Sequence, residues 1–281
     1  MRSFILLCGW AKMEKLYQIL LTNDDGIQSP GLWAAAGALS ELGYVHVVAP
    51  RDQFSGAGRS LPSTSDGIIT PQQMEVGGKS WTVYSVGGTP AQAILHAICE
   101  ILPAHPDLVV SGINYGENLG VGITVSGTVG AAMEGAGNGI PSLAVSLETD
   151  QKDHLSYSTE IDFSAAAHFT ILFGRMMLSR KLRGDVNLLK VDVPCDATAS
   201  TAWEVTRLSK QRYFEPVAPK RSSWNQPGTV GYRRVDQVDG SGPDTDVYAM
   251  RVKRVVSVTP LSLDMTSRIN LKEFDQLLRA G

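Results

Sequence analysis

Apolar residues recur along this chain in short runs, and most of these runs end in polar loops containing glycine. The first run, Ile19-Leu20-Leu21-Thr22, is too short for a helix and reads as a buried strand. It stops at Asn23-Asp24-Asp25-Gly26, after which Ser29-Pro30 supplies an N-cap and a first-turn proline for an alanine-rich helix. That helix is expected to run to about Leu42, with Gly43 as its stop. Tyr44-Val45-His46-Val47-Val48-Ala49 is a second strand, so residues 17–49 predict one β-α-β unit with parallel strands and a right-handed crossover.

The alternation of strand and helix then continues. Residues 61–86 lose helical period, and the alternating Trp81-Thr82-Val83-Tyr84-Ser85-Val86 predicts a small antiparallel insertion. Thr89-Pro90 opens a helix, and Asp107-Leu108-Val109-Val110 is a third strand ending in Ser111-Gly112-Ile113-Asn114-Tyr115-Gly116-Glu117-Asn118. Ser126-Gly127-Thr128 opens a helix of small residues, 141–146 is a fourth strand, 163–182 a long helix and 188–193 a fifth strand. Beyond Pro194, strand-like runs between 200 and 260 alternate with turn-rich stretches and predict long β-hairpins outside the parallel sheet, followed by a helix at 271–278. The expected class is α/β, a mostly parallel sheet flanked by helices, with a C-terminal β-hairpin extension. It divides into an N-terminal extension (1–12), a core bearing the catalytic loops (13–199) and an arm with its closing helix (200–281).

Composition narrows the partners. With 281 residues the chain can bury a sizeable core, and a net charge of −3 argues against an extended nucleic-acid or membrane surface. Three cysteines form no framework and suit a reducing, cytoplasmic setting. The apolar run near the N-terminus is too short to span a bilayer, and Met13 stands directly before the first strand.

Loops that follow parallel strands converge at one sheet edge, where open α/β sheets bind ligands. Asp24, Asp25, Ser55 and Asn114 all carry oxygen and each lies just after a predicted strand. Adjacent Asp24 and Asp25 repel one another, which suits a hard divalent cation. Oxygen-only ligation favours Mg²⁺ or Mn²⁺ over zinc. The same residues could also form only a turn, with glycine supplying positive φ. The helix start at Ser126-Gly127-Thr128 offers free N–H groups to an anion. Together these features imply hydrolysis of a phosphomonoester. None of the five histidines falls in the converging loops, and neither a GxxxxGK[ST] nor a GxGxxG motif occurs. An Asp-x-Asp nucleophile loop of the haloacid-dehalogenase type is not supplied by adjacent aspartates.

Thr22-Asn23-Asp24-Asp25-Gly26, Ala49-Pro50 with Ser55-Gly56, Ser111-Gly112-Ile113-Asn114 with Gly116 and Asn118, and Ser126-Gly127-Thr128-Val129 together resemble the SurE survival-protein family from Met13 onward. The resemblance implies a Rossmann-like core and a 5′/3′-nucleotidase acting on nucleoside monophosphates, in some members also on short polyphosphate. It further implies one divalent metal ion, and homodimers or homotetramers built through an exchanged C-terminal region. It places the metal on Asp24, Asp25, Ser55 and Asn114, with the two aspartates catalytic, and the phosphate on Asn118, Ser126, Gly127 and Thr128. Two departures stand out. The family's usual Leu-Asn-x-Asn-x-Pro is here Leu189-Lys190-Val191-Asp192-Val193-Pro194, and the tyrosine that often precedes the serine is Val125. The competing expectation is a non-enzymatic α/β module that binds nucleotide or phosphate.

Overall fold

Strand β1 (Tyr17–Thr22) is buried along most of its length, which is why its sequence is a continuous apolar run rather than an alternating one. It sits inside a nine-stranded sheet in a computed structural model that describes residues 16–180, 182–235, 240 and 242–280. The expected N-terminal extension lies outside the described residues. In chain-order numbering the sheet is β3 (Ile69–Val76), β4 (Lys79–Val86), β2 (Gly43–Pro50), β1, β5 (Leu108–Tyr115), β6 (Ser142–Leu147), β7 (Leu188–Val193), β11 (Val256–Leu261) and β8 (Trp203–Val205). From β4 to β7 every neighbouring pair is parallel, while β3 and β11 run antiparallel to their neighbours β4 and β7.

Successive residues of the central strands serve opposite faces. Ile19, Leu21, Val45, Val47, Leu108 and Val110 pack with residues of α1 (Pro30–Leu39) and α4 (Ser164–Ser179). Leu20, Val48 and Val109 pack on the other side with Ala93 and Ile94 of α2 (Pro90–His96) and Ala131 of α3 (Gly127–Gly137). The result is a three-layer α/β fold. Thr89 and Gln92 cap α2 reciprocally, and that helix continues as a π-helical turn, Ala97–Ile101.

Two expectations are revised. Hairpins outside the sheet account only for β9 (Phe214–Val217) and β10 (Gly231–Arg234), which form a separate antiparallel pair. Strands β8 and β11 instead extend the main sheet beyond β7. The reason is burial: Val256 and Val258 of β11 join the core, and β11 covers an edge of β7 that would otherwise leave backbone groups unpaired. Strand β5 also reaches Tyr115, further than the apolar run suggests, with a register shift against β6 between Ser111 and Asn114.

Strand β1 lies between β2 and β5, so the chain leaves it for one side of the sheet and later returns on the other. This reversal opens a crevice beyond the carboxyl ends of β1 and β5. Past β8 come α5 (Asp246–Tyr248) and α6 (Leu271–Arg279). Among the described residues no helix is long and apolar enough to cross a membrane.

Candidate active site

Asp24 and Asp25 stand at that crevice, directly beyond β1, and both are nearly fully buried. Their loop is built locally: Asn23 donates its side-chain amide to the Gly26 carbonyl at 3.0 Å and accepts the Gly26 N–H at 3.2 Å. Gly26 has φ +95°, a conformation that a residue with a Cβ adopts only with strain. Asp24 Oδ1 accepts from Thr128 Oγ1 at 2.5 Å, and the backbone N–H groups of Gly127 and Thr128 also reach the carboxylate. The first turn of α3 therefore points its amides and the positive end of its dipole at Asp24. A Cβ on Gly127 would stand 2.7 Å from the Asp24 Cβ, so glycine is what allows this approach. Asp25 Oδ1 accepts from Gln53 Nε2 at 3.1 Å and Oδ2 from the Tyr115 N–H at 3.2 Å.

Burial raises the Asp24 pKa, opposed by its bonds to Thr128 and Gly127. Burial, and then the charge of Asp24, push the Asp25 pKa well above the ordinary carboxylate range. No Lys, Arg or His is hydrogen-bonded or ion-paired with either group among the described residues. A buried pair of carboxylates with no counter-ion among the described residues fits a cation. Among the described residues no group of three or more His, Cys, Asp or Glu converges, so such a cation would draw on two carboxylates and neutral oxygens.

Ser55, Asn114 and Ser126 stand next in sequence to residues that touch this pair, namely Phe54, Tyr115 and Gly127. Phe54 N–H donates to the Asp24 carbonyl at 2.8 Å, which places exposed Ser55 next to the pair. Asn114 uses its Nδ2 on the Tyr115 and Gly116 carbonyls, at 3.2 and 2.6 Å, beside the Tyr115 N–H that holds Asp25. Ser126 caps α3 by accepting from the Val129 N–H at 3.1 Å, which leaves its own proton to donate elsewhere. Asn118, just beyond β5, donates its side-chain amide to Ser146 Oγ on β6 at 2.9 Å. Thr128 is the exception in direction, because its buried hydroxyl is spent on Asp24.

The model of the family described as "Survival protein SurE" matches residues 19–215, the span that carries all of these residues. This chain belongs to the SurE family. It is 44% identical over 261 residues to the 5′-nucleotidase SurE of Thermococcus gammatolerans, covering 93% of this chain and 96% of that protein. It is 39% identical over 267 residues to the 5′-nucleotidase SurE of Methanosarcina mazei, covering 93% and 97%. The crystal structure of the SurE protein from Aquifex aeolicus superimposes with a TM-score of 0.71 at 33% identity, over 93% of this chain and 99% of that one.

Several residues that support this SurE site escape the sequence motifs. Gln53 bridges Asp25 and the His154 carbonyl, the latter at 2.9 Å, and Tyr157 donates to the Asp25 carbonyl at 2.9 Å. The loop after β6 thus joins the strand-end crevice and brings in His154, although sequence placed no histidine there. Its Nδ1 lies 3.0 Å from Tyr232 Oη on β10, and burial lowers its pKa. The hairpin base is tied in again by Tyr213, which donates to buried Glu117 at 2.6 Å. Gln53 was findable, two positions before Ser55 in the same loop. The others come from distant parts of the chain.

Proposed function

We propose that this chain is a metal-dependent 5′-nucleotidase, a hydrolase that releases phosphate from nucleoside monophosphates. Nucleoside 3′-monophosphates and short polyphosphate are further substrates within the same chemistry. The observation that carries this reading is the buried pair Asp24 and Asp25 at the switch point of the sheet, with no counter-ion among the described residues and facing the start of α3. Asp24, Asp25, Asn114 and Ser55 would hold one Mg²⁺ or Mn²⁺ ion, each offering oxygen as the donor. When bound, such an ion polarises the phosphoryl group and lowers the pKa of a water.

The chain's own residues do the rest. Ser126 donates its free hydroxyl proton to a phosphoryl oxygen, and the second amide hydrogen of Asn118 does the same from the β5–β6 side. Thr128 fixes the orientation of Asp24, while Gln53 and the Tyr115 N–H fix Asp25. One carboxylate of the pair takes a proton from the attacking water as the water oxygen bonds to phosphorus, the ester P–O bond breaks, and the same carboxyl group returns that proton to the departing nucleoside oxygen. A non-enzymatic phosphate binder gains nothing from two carboxylates that repel its ligand.

The working unit is a homodimer or homotetramer joined through residues 200–281. Leu271, Phe274, Leu277 and Leu278 leave an apolar face of α6 exposed, and Trp224 and Val230 do the same between β9 and β10. The free, exposed thiols Cys99 and Cys195 suit a reducing, cytoplasmic setting. The test is phosphate release from nucleoside 5′- and 3′-monophosphates with Mg²⁺ or Mn²⁺, compared with excess chelator. Metal-dependent release is expected. Nucleotide binding without turnover would replace the enzyme by the binding module.

A further inference from the structure

Two charged residues of β7, Lys190 and Asp192, are not at the surface. Lys190, Asp192 and Asp246 are all fully buried, and Lys190 Nζ donates to Asp192 Oδ2 and, at 3.3 Å, to Asp246 Oδ2. The remaining acceptor positions are filled by backbone. Asp192 Oδ1 takes the Asn118 N–H at 2.8 Å. Asp246 takes the N–H groups of Gly120, Ser209 and Val247, at 2.8, 2.8 and 2.9 Å. Ser146 and Asp192 are register partners on β6 and β7, and Ser146 Oγ accepts the Asn118 side-chain amide. Asn118 is thus held at its backbone by one strand and at its side chain by the next.

We infer that Asp192, locked by Lys190 against Asp246, is together with Ser146 a positioning device that fixes Asn118 for the substrate phosphate. This rests on the phosphate role of Asn118 proposed above. What the task requires of residue 192 is an oxygen acceptor facing the Asn118 N–H, which the carboxylate supplies. Its bond to that N–H is also charge-assisted. Lysine then serves two purposes: it neutralises Asp192 and pins the oxygen that does not face Asn118. Because Asp246 also receives the Ser209 and Val247 amides, the same lysine ties the C-terminal segment to the phosphate side of the site.

Two charge-balanced double variants separate this role from plain structural support. Each removes one positive and one negative charge, so the net charge of the cluster is unchanged, and Asp246 keeps its three amide donors in both. Lys190→Met/Asp192→Asn keeps an acceptor for Asn118 and is expected to hold KM for a nucleoside monophosphate and Ki for inorganic phosphate within threefold of the parent. Lys190→Met/Asp192→Leu removes that acceptor and is expected to raise both at least tenfold. A purely structural anchor would lower melting temperature and kcat in the two variants without separating their KM or Ki. Equal KM and Ki in the two would therefore overturn the inference. If the leucine variant does not fold, Ser146→Ala reads the second hold on Asn118: at least a threefold rise in phosphate Ki supports the inference, and an unchanged Ki overturns it. A parent enzyme that releases no phosphate would instead refute the nucleotidase reading itself.

Discussion

Replacing Thr128 by valine asks what the start of α3 does. The side chains are nearly the same size and Thr128 is fully buried, so the change removes one hydroxyl and adds no bulk. What is lost is the 2.5 Å bond to Asp24 Oδ1; the Gly127 and Thr128 amides stay. A hydrogen bond to a charged group contributes about 1.5–3 kcal/mol. Outer partners of metal ligands typically affect metal affinity by about ten- to a hundredfold. Since the two amides still orient the carboxylate, the lower end applies, about tenfold or ~1.4 kcal/mol. The assay is phosphate release at saturating nucleotide while Mg²⁺ is titrated, with inorganic phosphate as competitive inhibitor in a second series. The Mg²⁺ activation constant should rise about tenfold while phosphate Ki stays within twofold. An unchanged activation constant with a raised Ki would refute this reasoning and put the Thr128 hydroxyl on the phosphate.

Other expectations address the charge pair, the cap and the arm. The Asp25 pKa in the folded chain is raised, so the stability linked to it is present below the unfolded pKa and lost as pH rises through the folded pKa. In chelator, Asp25→Asn should therefore gain melting temperature over the parent at pH 8 and lose that advantage near pH 4, each unit of raised pKa corresponding to ~1.4 kcal/mol; a pH-independent difference would contradict this. Ser126→Ala should remove about 1 kcal/mol of helix capping in urea unfolding. It should also raise phosphate Ki about tenfold through a lost bond of ~1.5 kcal/mol, and an unchanged Ki would exclude the phosphate role. Deleting 219–229, between β9 and β10, should lower the oligomeric state in light scattering, whereas an unchanged mass would remove the arm from the interface.

The parts of this protein legible in its sequence are those fixed by local chemistry. The run at Ile19-Leu20-Leu21 had to be a buried strand, and the Asn23-to-Gly26 loop had to turn sharply at its end. Repetition of that pattern placed Asp25 and Asn114 at one edge before any contact was known, and β1 and β5 are indeed adjacent. What stayed hidden depends on long-range pairing. Nothing local in Val256–Leu261 distinguishes an isolated hairpin from a strand that covers β7. Lys190 and Asp192 alternate with apolar residues and so look like a solvated face; only Asp246, 56 positions from Lys190, makes their burial tolerable. Thr128 was placed correctly at the helix start, but its hydroxyl faces Asp24, a partner 104 positions away.

The cation site at Asp24 and Asp25 is tested most directly by titrating Mn²⁺ into chelator-stripped protein while following bound metal by electron paramagnetic resonance and phosphate release from a nucleoside 5′-monophosphate in the same samples. One ion per chain should bind, release should rise in proportion to its occupancy, and Asp24→Asn should lose both while keeping the parent's circular dichroism. Full release from the stripped protein, or from Asp24→Asn, would contradict the site.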